Sequence, residues 1–144
     1  MVSPKIRTDL FFDRQRVITA MDRAEKRALS KAGAFVRKAA QSSLRRRKKS
    51  SRPGQPPSRH AATNQSLRFI LFNYEPNNHG VVVGPVRFTG SEDTPNVMEY
   101  GGTVVRRSKS GSKVQRYPAR PFMGPALEQV AQELPSVFAR EVRV

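Results

Sequence analysis

Apolar residues recur at spacings of three and four along the first third of the chain, which is typical of one face of an α-helix. Asp13 precedes this series as a favourable N-cap, and Phe12 and Val17 occupy the two positions of a hydrophobic staple. We expect a short edge strand over Lys5–Phe12 and then a long helix with a narrow, alanine-rich seam. The seam consists of Val17, Met21, Ala24, Ala28, Ala32, Phe35 and Ala39.

Beyond residue 66 the pattern becomes that of β-strands. Leu67–Tyr74 is apolar on both faces, which predicts a central strand. EPNNHG reads as a turn, and Val81–Gly84 then returns as the second strand of a hairpin. Thr103–Arg107 and Val114–Tyr117 flank the polar stretch SKSGSK and predict a second hairpin.

Two further segments carry helix signals. Pro95–Tyr100 predicts a single helical turn that ends at Gly101 and Gly102, because glycine allows the positive φ that stops a helix. Near the end of the chain, YPARPF predicts extended backbone that leads into an amphipathic helix, with Gly124 as N-cap and Pro125 as the first helical residue.

Pro135 predicts a kink near Gln132–Leu134, or two short helices, because proline removes a helical hydrogen bond. The element order indicates an α+β fold, in which an antiparallel sheet of about four strands packs against a long N-terminal helix and a C-terminal helix. A length of 144 residues predicts a single domain, 1–144.

Positive charge is concentrated in the first half of the chain. Residues 1–60 hold 17 Lys and Arg against 4 acids, whereas residues 61–144 hold 10 against 7. A long basic loop is expected at 45–66, because its first part, RRRKKSSRPGQPPSR, has no apolar anchor apart from its prolines and cannot form a core. Such a charge favours polyanions or acidic protein surfaces as partners. The cations of interest are Arg45, Arg46, Arg47, Lys48, Lys49 and Arg52.

Catalytic and metal chemistry find little support in the sequence. With no cysteine there is neither a disulfide nor a thiolate metal site, and His60 and His79 stand alone in loops. Glu92 and Asp93 fall in a GSEDTP loop, where a solvated turn is a better interpretation than a magnesium site. The acids show no recognisable catalytic spacing with a histidine, so we expect a non-enzymatic protein without a cofactor.

The sequence also suggests a location. The chain has no apolar run of the length that a membrane span needs, and its first residues lack the apolar centre of a secretory signal. Synthesis and folding in the cytoplasm, without a membrane partner, are therefore expected.

Five short motifs follow one another along the chain. They are RPGQPP at Arg52–Pro57, SLR at Ser66–Arg68, VVVGP at Val81–Pro85, MEYGGT at Met98–Thr103 and YPARPFMGPALE at Tyr117–Glu128. Their order resembles that in the neck or tail-completion proteins of long-tailed bacteriophages, the group typified by the head-tail joining component of phage Hong Kong 97, and the last motif is the strongest. The RRRKK run and the SRHAATNQ spacer depart from the family pattern, which often has a short Thr-Gly turn there.

The resemblance implies a small α+β structural protein of the virion that forms a six-fold or twelve-fold ring in the neck. Assembled in the host cytoplasm, this ring would complete the tail and join it to the head connector. Its implied partners are other copies of the chain, the connector protein and the tail-tube or tail-terminator protein. DNA passing through the channel is a further candidate.

In such a ring, YPARPF could lie along a neighbouring subunit at little entropic cost, because its prolines already restrict the unfolded chain. Arginine and aromatic residues concentrate interface energy, so Tyr117, Arg120 and Phe122 are candidate subunit contacts, together with Glu99 and Tyr100 beside the two glycines. The basic loop could meet DNA phosphates or an acidic protein surface. Protein docking is slightly favoured, because strong attraction to DNA would hinder its passage.

Two alternatives stay open. A tail terminator would have a similar size and ring-forming habit. A basic nucleic-acid-binding protein unrelated to phages would explain the charge, although the aromatic residues of Leu67–Tyr74 lie in a strand too apolar to be an exposed base-stacking platform.

Overall fold

A computed structural model describes residues 13–58, 67–86, 94–108 and 111–141 of the chain. The expected strand over Lys5–Phe12 lies outside these residues, as does Phe12 of the hydrophobic staple. A short 3-10 turn, Pro76–Asn78, connects the first two strands. The elements are α1 (Arg14–Ser43), β1 (Ile70–Glu75), β2 (Gly80–Pro85), α2 (Thr94–Tyr100), β3 (Gly102–Ser108), β4 (Gly111–Tyr117), α3 (Met123–Ala131) and α4 (Leu134–Glu141).

The long helix α1 is the central element of the fold. Asp13 caps it as predicted, with its carboxylate accepting the Arg16 backbone N–H at 3.0 Å. The predicted seam is only partly buried: Ala24, Ala28 and Ala32 are buried, whereas Val17, Met21 and Phe35 are 40%, 62% and 40% exposed. Burial instead starts at Ala24 and continues in steps of four, so Val36 is buried in place of Phe35. Steps of four follow an inclined ridge of the helix, which is the surface that packs against other elements at an angle. The buried row is Ala24, Ala28, Ala32, Val36, Ala40 and Leu44.

The first hairpin packs directly on α1. β1 and β2 pair antiparallel, as the sequence predicted. A Cβ atom on Gly33 of α1 would lie 2.7 Å from Cγ2 of Val81 and 3.0 Å from Cδ2 of Phe72, so only glycine permits this approach. The helices α3 and α4 also contact α1. The core cluster consists of Ala40, Leu44, Ile70, Phe122 and Ala126.

The expectation of one sheet of about four strands is wrong. The described strands form two separate antiparallel sheets of two strands each, β1–β2 and β3–β4, so β1 is not a central strand. Gly101, at φ +74°, turns the chain at the end of α2, and a Cβ there would lie 2.9 Å from the backbone nitrogen of Ala119. The second hairpin therefore begins where the end of α2 closely approaches the segment before α3.

The end of the chain forms two helices, as Pro135 predicted, with α3 and α4 separated at Gln132–Glu133. The predicted start of α3 is wrong by two residues. The helix begins at Met123 rather than Pro125, and Gly124 lies inside its first turn. Pro125 is still tolerated, because the N–H groups of a first helical turn have no partner within the helix. No helix in the described part of the chain combines the length and apolar character that a membrane crossing requires.

Candidate functional site

Three of the sequence motifs meet at one place, which we call the junction. It consists of residues 51–54 from the basic loop, 98–101 from the end of α2, and 117–122 before α3. The backbone N–H of Arg120 donates to the Met98 carbonyl at 2.7 Å, and the N–H of Gly54 donates to the Ala119 carbonyl at 2.9 Å. The extended YPARPF segment therefore lies between two other parts of its own chain.

Glu99 joins α2 to α3 at the junction. Its Oε2 accepts the backbone N–H groups of Phe122 at 2.9 Å and Met123 at 3.0 Å, and its Oε1 accepts that of Gly124 at 2.8 Å. The N-cap residue Phe122 has no side chain that could do this. A carboxylate also interacts favourably with the positive end of the helix dipole. Glu99 thus caps a helix that lies more than twenty residues further along the chain.

A turn with a clear sequence signal brings the basic loop into the junction. In RPGQ, the Gln55 N–H donates to the Arg52 carbonyl at 3.2 Å, and Gly54 has φ +78°. Proline followed by glycine with positive φ is the pattern of a type II turn. Arg120 Nε donates to the carbonyl of Ser51 at 3.2 Å, and Ser51 is buried. The sequence interpretation of 45–66 as a plain loop missed these attachments.

The five subunit-contact candidates have different surroundings in the folded chain. Phe122 is 1% exposed and belongs to the chain's own core, whereas Tyr100 is 81% exposed. Glu99 and Arg120 are half-buried, and their polar groups already have partners at the junction. Tyr117 is half-buried, and its hydroxyl donates to Gln115 Oε1 at 2.8 Å. An open groove of about 730 Å³ lies between Tyr100 and Tyr117 at the base of the second hairpin.

The second hairpin, β3–β4, extends from the junction as a two-stranded ribbon. Its main packing contact with another described element is with α2. Val105 and Val114 are directly opposite in the register and are 56% and 66% exposed. A two-stranded ribbon is marginally stable alone in water. This exposed apolar pair was not singled out from the sequence.

The first hairpin has an apolar outer face, opposite the face that packs on α1. Leu71 lies opposite Gly84, and Val82 lies opposite Asn73, so both side chains point to this outer face. They are 59% and 55% exposed, and Phe69 and Val86 continue the patch at the open end of the hairpin. The strand pattern, apolar on both sides, was the available signal for this outer face.

The six cations of the basic loop are all exposed. Among the described residues, Glu141 forms ion pairs with Arg27 and Lys31, and Glu25 contacts His79, so none of these acids contacts a loop cation. Arg37 of α1 is placed over the ring of Phe72, 5.3 Å from its centroid. The loop cations are Arg45, Arg46, Arg47, Lys48, Lys49 and Arg52.

His79 contacts a residue that the sequence did not pair with it. His79 lies at the turn between β1 and β2, and its Nδ1 is 2.9 Å from Oε1 of Glu25 on α1. Partial burial raises the pKa of the neighbouring Tyr74 hydroxyl above its ordinary value, and the charges of Glu25 and Asp22 raise it further. A separation of 54 residues hides such a pair from local sequence patterns.

Metal candidates have little support in the described residues, where no group of three or more His, Asp or Glu side chains is arranged to hold a metal ion. Glu92, Asp93 and His60 lie outside those residues. Comparisons with protein-family models, curated proteins and solved structures found no match to this chain.

Proposed function

We propose that this chain is a structural subunit of a bacteriophage neck, which assembles into a ring, completes the tail and joins it to the head connector. The family assignment depends on the resemblance of the five motifs. The structure supports only the more general part of the proposal, which is that the chain binds other subunits through its exposed apolar surfaces.

The observation that carries the proposal is that two unlike apolar surfaces are exposed on the described part of the chain. One is the ribbon with Val105 and Val114, and the other is the outer face of β1–β2 with Leu71 and Val82. Both belong to two-stranded sheets. When two different patches of one chain bind each other, subunits join head to tail, and such contacts close into rings when the rotation allows.

The junction supports the same proposal at the level of the motifs. RPGQPP, MEYGGT and YPARPFMGPALE, far apart in sequence, bond to one another there. Their shared task is to hold the base of the ribbon and the start of α3 in one orientation. A fixed orientation lowers the entropy lost when a ribbon docks on a neighbour.

The chain's formal net charge of +16 works against self-association, because copies repel one another at low ionic strength. Assembly should therefore depend on salt or on an acidic partner. The head connector and the tail components are the partners to supply in a test.

The experiment mixes purified chain with isolated connector-bearing heads and with tails, at about 150 mM salt, where charge repulsion is screened beyond roughly 8 Å. We expect rings by native mass spectrometry and electron microscopy, either alone or on one of these components, and infectious particles once all three are present. A monomer that binds neither heads nor tails would contradict the proposal. Rings that bind finished tails but not heads would favour the tail-terminator alternative.

A further inference from the structure

We infer that the basic loop is a contact element for the phosphate backbone of a nucleic acid, and that duplex DNA in the channel is its partner in the particle. The inference deepens the proposed neck function and rests on it for the identity of the DNA. The contact with phosphate itself is argued from the loop.

The loop is a compact cluster of cations. Residues 45–50 are all exposed, and five of these six are Arg or Lys. No apolar side chain interrupts them. The Arg45 N–H donates to the Ser43 carbonyl at 3.0 Å, so the run starts immediately after the end of α1.

Both ends of this run are fixed to the folded chain. Leu44, just before it, is 3% exposed and belongs to the core cluster. Ser51, just after it, is buried, and its carbonyl accepts a hydrogen bond from Arg120. Six residues span at most about 20 Å when fully extended. The cations are therefore held near one place rather than spread along a free tail.

No carboxylate in the described part of the chain is paired with this cluster. Between Glu25 and Glu75 the sequence has no Asp or Glu, and the loop cations take part in no ion pair among the described residues. Adjacent like charges repel one another, and an external polyanion relieves that repulsion. The acid-free segment thus favours an anionic partner.

The composition of the loop distinguishes phosphate from protein as that partner. Protein interfaces concentrate their energy in buried aromatic and apolar anchors, which 45–50 lacks. Phosphate contacts need only cations, and arginine matches phosphate geometry with two parallel hydrogen bonds. Contacts of this kind are independent of sequence and let a protein slide along a duplex. Attraction to DNA is therefore compatible with its passage.

The test measures binding of the full chain to a 20-base-pair duplex of arbitrary sequence, by fluorescence anisotropy at several salt concentrations. One variant replaces the loop cations Arg45 to Lys49 with glutamine. The control variant has the same net charge and replaces five exposed cations elsewhere with glutamine. These are Arg14, Arg16, Arg23, Lys26 and Arg140.

Five phosphate contacts predict that log K falls against log salt with a slope of about −4.5, or roughly 500-fold between 50 and 200 mM salt. We expect the loop variant to lose most of this slope and the control variant to keep it. Equal losses in the two variants, or unchanged binding in the loop variant, would overturn the inference. Displacement of the duplex by poly-L-glutamate at lower charge concentration than by competitor duplex would also overturn it, in favour of an acidic protein.

Ring assembly of the same samples, followed by native mass spectrometry, separates this inference from the proposed function. A chain that forms rings and joins heads to tails, yet binds duplex no better than its loop variant, overturns the phosphate contact alone. Loss of duplex binding in the loop variant alone supports the phosphate contact. If the wild-type chain binds duplex in this way but never assembles into rings, the phosphate contact stands and the neck function is overturned.

Discussion

Glu99 shows how one side chain can connect parts of the chain that local patterns treat separately. From the sequence it was a candidate subunit contact, chosen for its place beside two glycines. In the fold its carboxylate accepts three backbone N–H groups at the start of α3. Those groups have no partner within the helix, so their satisfaction depends on a residue of α2.

Replacing Glu99 with alanine should lower the free energy of unfolding by about 1.5–3 kcal/mol, because two part-buried hydrogen bonds and one exposed hydrogen bond lose their charged acceptor. Glu99→Gln keeps one acceptor oxygen and should lose about half as much. Urea unfolding followed by far-ultraviolet circular dichroism measures both changes. The matched control is Glu128→Ala, an exposed position of α3, which should change stability by less than about 0.5 kcal/mol. Equal stabilities of Glu99→Ala and Glu128→Ala would show that the cap contributes nothing.

Residue type alone could not separate the roles of two neighbouring aromatic residues. Tyr100 and Phe122 were both candidate contacts, because aromatics are frequent at interfaces. Phe122 fills the core beside Ile70, whereas Tyr100 is largely exposed. Which aromatic faces inward depends on how α2 and α3 meet, and that depends on long-range contacts.

At the scale of elements, α4 is held to α1 by charge as well as by the buried Val137. Glu141 accepts a hydrogen bond from Lys31 Nζ, and its Oε2 lies 3.4 Å from Arg27 Nε. The hydrogen bond from Lys31 is the largest influence and lowers the pKa of Glu141 below its ordinary value. Desolvation opposes it, and attraction to the charges of Lys31 and Arg27 lowers the pKa further.

A carboxyl group whose pKa is lowered by folding stabilises the fold while it is ionised in both states. This contribution is complete above the ordinary pKa of 4.5 and disappears as the pH falls through the lower pKa of the folded chain. We therefore expect the stability difference between the wild type and Glu141→Gln to shrink as the pH falls from 6 to 3. Urea midpoints across this range measure it. In a Lys31→Gln background the pH-dependent part should be smaller, and a difference that stays constant with pH would contradict the prediction.

Local signals predicted most of the elements. Asp13 and the spacing of alanines predicted α1, the two polar turns predicted both hairpins, and Pro135 predicted the break before α4. Each depends on interactions within a few residues. The start of α3 was misplaced because its cap comes from Glu99, outside the local window.

The arrangement of the hairpins could not be predicted in the same way. Alternation of apolar residues tells which side chains share a face, but not which strands pair. One four-stranded sheet was the economical expectation, because strands that follow each other in sequence usually neighbour each other. The described strands instead form two sheets, and Gly101 closely approaches Ala119, a contact that the local helix-stop signal at Gly101 does not reveal. For the junction, the sequence identified the arginine, the aromatic residues and Glu99 as candidates. It did not predict that the basic loop is bonded there through Ser51 and Gly54.

At the scale of the whole molecule, the exposed ribbon and the exposed outer face of β1–β2 differ from each other. Head-to-tail assembly can therefore be tested by mixing two variants, each altered in one of these surfaces. Val114→Glu should block the ribbon, and Leu71→Glu should block the outer face of β1–β2. A buried charge without a partner costs an interface about 2–5 kcal/mol, which weakens association by about 30-fold or more. Each variant alone should then be monomeric at concentrations where the wild type assembles.

An equimolar mixture of the two variants should give dimers and nothing larger, because each pair retains one intact ribbon and one intact outer face. Native mass spectrometry distinguishes the species. Met21→Glu is the matched control, since Met21 is 62% exposed and lies outside both surfaces, and it should assemble like the wild type. Rings from the mixture, or dimers of either variant alone, would show that the two surfaces do not bind each other.

The four residues from Tyr117 to Arg120 connect the β3–β4 ribbon to the basic loop. Tyr117 ends the ribbon, Ala119 accepts the hydrogen bond of Gly54, and Arg120 binds the carbonyl of Ser51. A rigid four-residue connection transmits displacement, since prolines at 118 and 121 restrict its bending. A partner that binds the β3–β4 ribbon should therefore also restrict the motion of the basic loop, and a partner that binds the loop should restrict the ribbon.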